Sequence, residues 1–512
     1  MTTGSVLVAG TASDVGKSVL TAGICRWLAR QGIRVAPFKA QNMSNNSVVA
    51  PDGAEIGRAQ AMQAAACGVP AEAAMNPVLL KPGSDLTSQV VLLGRAVGEA
   101  TADGYWHRGA GRERLLATVL SSYDDLRSRF DVVVCEGAGS PAEINLRRGD
   151  LVNMGLARAR DLPVIVVGDI DRGGVFAALY GTLALLDPAD QALISGFIIN
   201  KFRGDQTLLT PGLDELIART GRPVLGVVPF LNQTWIDAED AVAAEGFYGP
   251  VGARDDDPSL RVAVIRLPRI SNFTDVDALA LEPGVSVRFV STASGIHDAD
   301  LVIVPGTKAT VADLAWVRAR GLDHALAKRA ADGRPVLGIC GGYQMLGSVI
   351  DDEVESRAGT VPGLGLLPVT TRFAAAKTLR RRSGYAGSVP VAGYEIHHGL
   401  VQAGGGRPWF TSLPSGEQAA AALDGCQEGA VSGTLWHGIF ENDAFRNSYL
   451  TETARLARCD FVPEAGTCFS AARQAQFDAL ADSIDSNLDT DALLSLIEHG
   501  PARDMPALRT VL

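Results

Sequence analysis

Two stretches of this 512-residue chain carry residue types able to do phosphoryl and covalent chemistry. Near the start, Gly10-Thr-Ala-Ser-Asp-Val-Gly-Lys-Ser18 follows the apolar run Val6–Ala9 and precedes a helical pattern from Val19 to Ala29. A loop of this kind turns backbone N–H groups toward phosphates, sets Lys17 against β/γ charge and offers the Ser18 hydroxyl to Mg²⁺ at a helix start. Its glycines stand one residue further apart than in the common phosphate loop, so Thr11 takes the first glycine's usual place. Thr11, Gly16, Lys17 and Ser18 are therefore the expected nucleotide contacts. Downstream, the run Asp131–Cys135 delivers Glu136 at a strand end, just before Gly137-Ala-Gly-Ser140. A carboxylate framed in this way can hold Mg²⁺ directly or through water.

The second stretch is Gly338-Ile-Cys340-Gly-Gly342, between a buried-strand run and Tyr343-Gln-Met-Leu-Gly347. A thiol on such a strand-to-helix turn is presented as a nucleophile, and a helix N-terminus with a nearby histidine favours its thiolate. The Gly341 N–H can serve a developing oxyanion, with a second donor expected at Gly306 in the loop Pro305-Gly306-Thr307. The histidine must come from elsewhere, and Thr434-Leu-Trp-His437-Gly-Ile-Phe440 supplies one at a strand end. His107, His297, His324 and His499 read as surface or structural residues, whereas Tyr394-Glu-Ile-His-His398 reads as the rim of the cysteine site.

Positioning these groups takes strands that end in loops. Apolar runs at Val6–Ala9, Ile33–Pro37, Val132–Cys135, Val164–Val167, Gly196–Ile199 and Val224–Val228 alternate with helical patterns, as strands buried on both faces of a parallel sheet do. A second series follows at Val262–Ile265, Val285–Val290, Leu301–Val304 and Val336–Ile339. The predicted fold is α/β, with two open, mostly parallel sheet domains. The first spans 1–235, a linker 236–258, the second 259–500 including C-terminal helices over Ala471–Ile497, and a tail 501–512. Lys377–Gly384 reads as a basic loop between strands, either a solvated turn or a contact for an anionic substrate.

Composition narrows the partners. With 47% hydrophobic and 20% charged residues the chain is globular, and a net charge of −11 excludes a broad nucleic-acid footprint. The seven cysteines lack CxxC or metal-ligand spacing, which fits unpaired thiols in a reducing cytoplasm. No signal peptide or membrane span is legible, so a cytoplasmic location is expected.

The form GTxxxVGKS with a strand-end EGAG resembles dethiobiotin synthetase and its relatives, which make acyl phosphates from carboxylates and ATP. That resemblance implies that Lys39 holds phosphate or substrate, and that Asp52 completes an Mg²⁺ shell with Ser18 and Glu136. It also implies that Asn200, in Asn200-Lys-Phe-Arg-Gly-Asp205, recognises the base. Cys340 with His437 resembles class I glutamine amidotransferases, in which cysteine attacks the glutamine side-chain amide and histidine shuttles the proton. Those enzymes usually carry glutamate two residues after the histidine, where this chain has Ile439. Either a dyad suffices, or an acid from elsewhere, such as Glu395, orients His437.

The fusion of these two halves resembles the cobyrinate amidotransferases of the cobalamin pathway. Phe38–Ser47, Asp52–Gln60, Asn76–Pro82, Gly168–Gly174, Asn200–Gly204 and Tyr394–His397 are similar to the branch that forms adenosylcobyric acid. The implied reaction is amidation of the b, d, e and g carboxylates of adenosylcobyrinic acid a,c-diamide, fed by ATP, Mg²⁺ and glutamine. No tightly bound prosthetic group is expected, and a homo-oligomer remains compatible. The alternatives are cobyrinic acid a,c-diamide synthase, acting on earlier carboxylates, and a partition-type ATPase switch.

Overall fold

The computed structural model describes residues 2–84, 86–101, 110–231, 237, 246–248, 260–414, 422–502 and 505–508. His107 and most of the expected linker lie outside these residues.

The first series of apolar runs forms a six-stranded parallel sheet in the order Val224–Pro229, Ile194–Phe202, Val164–Asp169, Gly4–Gly10, Val132–Glu136, Val35–Phe38. Val132–Glu136 is buried along its whole length because helices cover both faces, which is why it reads as an unbroken apolar run rather than an alternating one. Helix α1 (Lys17–Arg30) leaves the phosphate loop, and α2 (Arg58–Cys67) packs beside it. Register places Val8 beside Glu136, so the loop after the central strand and the end of its neighbour open side by side at the carboxyl edge.

The second series forms a seven-stranded sheet whose five central strands are parallel: Val285–Val290, Leu260–Ile265, Leu301–Val304, Val336–Ile339 and Val431–Thr434. The edges Gly246–Tyr248 and Cys426–Glu428 run antiparallel. Against this domain stands a long hairpin, Val369–Ala386 with Val389–Ala403.

Two expectations change. Lys377–Gly384 is not a loop: it lies within that hairpin, and Lys377 donates at 2.6 Å to Glu55 of the first domain. The C-terminal helices pack mainly on the first domain, although Phe469, at the start of the first of them, is buried in the core of the second. Phe469–Asn487 lies along α1, with Arg26 meeting Asp478 at 2.8 Å, Arg30 meeting Asp482 at 2.6 Å and Trp27 donating to Asp485 at 3.0 Å. Thr490–His499 follows, burying Leu493 and Ile497 in the same core as Val6 and Val8. Part of the tail does the same, the Leu508 amide donating to Gln191 at 2.7 Å. Amphipathic periodicity shows that a helix must cover an apolar face, but not which domain supplies it.

Candidate active site

The phosphate loop closes on itself through close backbone approaches. Gly16 has φ 94°, and a Cβ there would stand 2.2 Å from Asn200 Nδ2. Only glycine allows that approach. Asn200 in turn donates to the Val15 carbonyl at 2.9 Å, so its side chain braces the loop. The Thr11 amide donates to Val167 at 2.9 Å and Lys17 to the Ala12 carbonyl at 2.7 Å.

Ser18, Lys39 and Glu136 converge as the sequence predicts. Ser18 donates to Glu136 Oε1 at 2.8 Å and Lys39 to the same oxygen at 2.7 Å. Gln63, on α2, donates to Oε2 at 2.6 Å and reaches the Ser18 carbonyl at 3.3 Å. Burial alone would raise the Glu136 pKa, but Lys39, Gln63 and Ser18 together hold it below the ordinary carboxylate value. Glu136 is thus a buried carboxylate fixed in its anionic form. One hydroxyl and one carboxylate fit Mg²⁺, which is commonly held by one or two protein oxygens plus nucleotide phosphates.

Asp52 does not join them. Its two oxygens accept from the Ala54 and Ala73 amides, at 2.9 and 3.1 Å, and it sits in an exposed turn. The expected third Mg²⁺ ligand is therefore spent on holding that turn.

In the second domain, Cys340 has φ 50° and ψ −110°, a strained conformation held by its amide bond to Thr434 at 2.8 Å and by the glycines around it. A Cβ on Gly342 would fall 1.9 Å from the Val304 carbonyl, so that turn tolerates no side chain. The Gly341 amide opens the helix Gly341–Leu346 and has no acceptor within it. The loop Pro305–Thr307 lies alongside. A Cβ on Gly341 would stand 3.1 Å from the Thr307 amide nitrogen, and one on Gly306 would stand 3.1 Å from His437 Cε1. Both expected oxyanion segments thus border the cysteine and histidine.

His437 is fully buried, and its Nδ1 is 2.7 Å from Asp275 Oδ2. The other Asp275 oxygen accepts from the Gly438 amide at 2.8 Å, so the carboxylate grips both the ring and the backbone behind it. Burial alone would lower the imidazole pKa, but Asp275 and the adjacent Cys340 raise it to about 10. The ring is then protonated at neutral pH, with Nδ1–H turned to Asp275 and its charge beside the thiol.

Asp275 is the acid that sequence reasoning missed, and Glu395 is not that acid. Glu395 accepts from Arg382 at 2.8 Å and also from Arg380, while His397 Nε2 lies 3.6 Å away. Burial raises its pKa, yet His397 and these arginines bring it down to about 2. Tyr394 explains the error: its ring stacks on His437 at 5.5 Å, and the next residue on a strand points to the opposite face. His397 and His398 do line the cavity beside Cys340, as expected of a rim, and Lys81 of the first domain lines it too. His297, His324 and His499 are exposed and bond to near neighbours in sequence.

Residues 6–240 match the CobQ/CobB/MinD/ParA nucleotide binding domain, and residues 261–445 the CobB/CobQ-like glutamine amidotransferase domain. Along nearly its whole length the chain is similar to the cobyric acid synthase of Streptomyces coelicolor, 59% identical with 98% of each chain covered. The chain belongs to the cobyric acid synthase family. Cobyric acid synthases of Frankia casuarinae and Rhodococcus jostii are 58% and 57% identical, covering 98% and 99% of this chain and 98% of each relative. Among solved structures, a glutamine amidotransferase aligns at a TM-score of 0.31 and 19% identity, over 38% of this chain and 98% of that one, a likeness too slight to decide anything. In this member of the cobyric acid synthase family the two halves are a nucleotide-binding domain and an amidotransferase domain, and the second holds Cys340 beside a His437 ring bonded to Asp275. Among the described residues no helix is long and apolar enough to cross a membrane.

Proposed function

We propose that this chain converts adenosylcobyrinic acid a,c-diamide to adenosylcobyric acid in the cytoplasm, amidating the b, d, e and g carboxylates with nitrogen from glutamine and energy from ATP. The observation that carries this reading is that one chain similar to cobyric acid synthases over 98% of its length holds both the Ser18–Lys39–Glu136 cluster and the His437–Asp275 pair beside Cys340.

At the second domain, Cys340 Sγ, whose proton His437 has taken, attacks the glutamine side-chain carbonyl, and the oxyanion forms against the Gly341 amide and the Gly306–Thr307 loop. The imidazolium of His437 gives its Nε2 proton to the departing ammonia, leaving a glutamyl thioester. His437 then takes a proton from water, whose oxygen attacks the thioester and releases glutamate. Asp275 keeps Nδ1–H in place throughout and stabilises the charged ring.

At the first domain, the loop Gly10–Ser18 holds ATP, and Lys17 and Lys39 balance the charge that spreads over the transferring γ-phosphoryl group. A substrate carboxylate oxygen takes that group, forming an acyl phosphate and ADP. Ser18 and Glu136 would hold Mg²⁺, which would supply charge neutralisation for phosphoryl transfer. Ammonia then attacks the acyl carbon and expels phosphate, giving the amide. Each round consumes one ATP, one glutamine and one water.

Mass spectrometry of the corrinoid after incubation with ATP, Mg²⁺ and glutamine tests the reading. Four successive acid-to-amide conversions of the a,c-diamide are expected. Conversion of unamidated cobyrinic acid at its a and c carboxylates alone would replace the reading with cobyrinic acid a,c-diamide synthase. A partition-type switch leaves the buried triad without a use.

A further inference from the structure

The two sites are joined by a short piece of covalent structure. Helix α2 carries Gln63, which holds Glu136 and the Ser18 carbonyl, and five residues earlier it begins with Arg58. Five residues of helix span only about 7.5 Å. Arg58 is buried and crosses into the amidotransferase domain. Its guanidinium donates to Glu441 at 2.8 Å and to the Tyr394 hydroxyl at 3.4 Å, while its third bond goes to Asp237 at 2.7 Å. Tyr394 and Glu441 both lie next to the histidine that Asp275 holds. The Tyr394 ring stacks on the His437 ring at an interplanar angle of 26°, and their backbones exchange bonds of 3.1 and 2.8 Å. Glu441 sits on the 3-10 turn Ile439–Glu441 that begins two residues after His437. Asp237 is fixed from its other side by an ion pair with Arg473 at 2.6 Å, so the anchor of Arg58 is itself held by the C-terminal helix that packs on α1.

We infer that Arg58 is a positioning residue of the glutaminase site, supplied by the synthetase domain, and that α2 makes the placement of His437 depend on what Ser18 and Glu136 hold. This rests on the function proposed above. A guanidinium suits the task because its planar fork addresses three partners at once, which an ammonium on a flexible stem cannot do with the same geometry. Phosphate and Mg²⁺ at Ser18 and Glu136 alter the bonds that Gln63 makes. The rigid helix carries that change to Arg58, whose partner Tyr394 stacks on the His437 ring. Glutamine is then hydrolysed fastest when the domain that consumes ammonia is charged with nucleotide.

The test compares the full-length protein with Arg58→Lys and Arg58→Ala. Glutaminase kcat and KM are measured with and without ATP and Mg²⁺, and amidation driven by free ammonium is measured in parallel. Wild type is expected to hydrolyse glutamine faster with ATP and Mg²⁺. Both variants are expected to lose kcat by about tenfold or more with KM for glutamine little changed, because the histidine rather than the substrate is displaced. Arg58→Lys, which keeps the charge, is expected to lose the ATP response while ammonium-driven amidation persists. The inference is overturned if Arg58→Lys keeps the ATP response, if wild type shows none, or if ammonium-driven and glutamine-driven rates fall together, as misfolding would make them. Absence of any glutaminase in wild type would instead overturn the proposed function.

Discussion

The two catalytic centres are built on similar strand-to-helix turns, yet they manage charge in opposite ways. Around Cys340 the groups already stand in the order that catalysis needs, with the carboxylate on the ring and the ring's charge beside the thiol. Around Ser18 the charged groups neutralise one another, Lys39 lying on Glu136 and Lys17 on a loop carbonyl. A nucleophile gains from pre-assembly because its partners do not change between turnovers. A phosphate site must exchange partners as nucleotide arrives and leaves, so its ions are held by bonds that phosphate oxygens can replace. The comparison teaches that the first domain is set up to respond to a ligand, and the second to be held in position.

That contrast can be broken experimentally, beginning where the effect is largest. Lys17→Ala should reduce amidation by on the order of a thousandfold with either glutamine or ammonium as nitrogen source, because transition-state charge on the phosphoryl group loses its counter-ion. Equal loss of basal glutamine hydrolysis would show that the two centres are not separable. Asp275→Asn should slow glutamine hydrolysis by about a hundredfold or more while sparing ammonium-driven amidation, since it removes the charge that fixes the imidazolium. The pH profile checks the cause. With Asp275 present, the alkaline limb of glutaminase kcat/KM should follow His437 near pH 10. Without it, burial prevails and that limb should move toward acid. A limb that stays in place would mean that Asp275 does not set the ring's charge.

Glu395→Gln should do least to catalysis, and this sharpens the distinction between the two acids. Its expected effect is on stability, a loss of about 1–3 kcal/mol at neutral pH for a carboxylate bonded to charged groups. Because the folded-state pKa lies at about 2, below the ordinary carboxylate value, this contribution is complete above that value and is lost as pH falls through the folded pKa. Thermal melts of the two proteins should therefore differ at pH 7 and approach each other below about pH 4. A large loss of glutamine hydrolysis with an unchanged melt would restore Glu395 as a member of the site.

What was legible in the sequence follows the same division. Gly10–Ser18, Glu136 and Gly338–Gly342 are contiguous, each delivered by a buried strand, so local pattern carried both the fold and the chemistry. His437 was legible for the same reason. Asp275 was not, because it approaches from 162 residues upstream, in the short turn Phe273–Val276 with no periodicity to mark it. The only signal was an acid in the loop that follows the strand Leu260–Ile265. Asp52 and Glu395 look chemical in sequence, but a turn amide pair and a pair of arginines consume them. Arg58 gave no sign, since its partners Asp237, Tyr394 and Glu441 meet only when the domains do.

The most direct test of the account is to give Cys340→Ala ATP, Mg²⁺ and the a,c-diamide corrinoid, first with glutamine and then with ammonium. The account predicts that glutamine-driven amidation falls by on the order of a thousandfold or more while ammonium-driven amidation stays near the wild-type rate. Loss of both would contradict it, since Cys340 would then serve the carboxylate-activating centre or the fold rather than the release of ammonia.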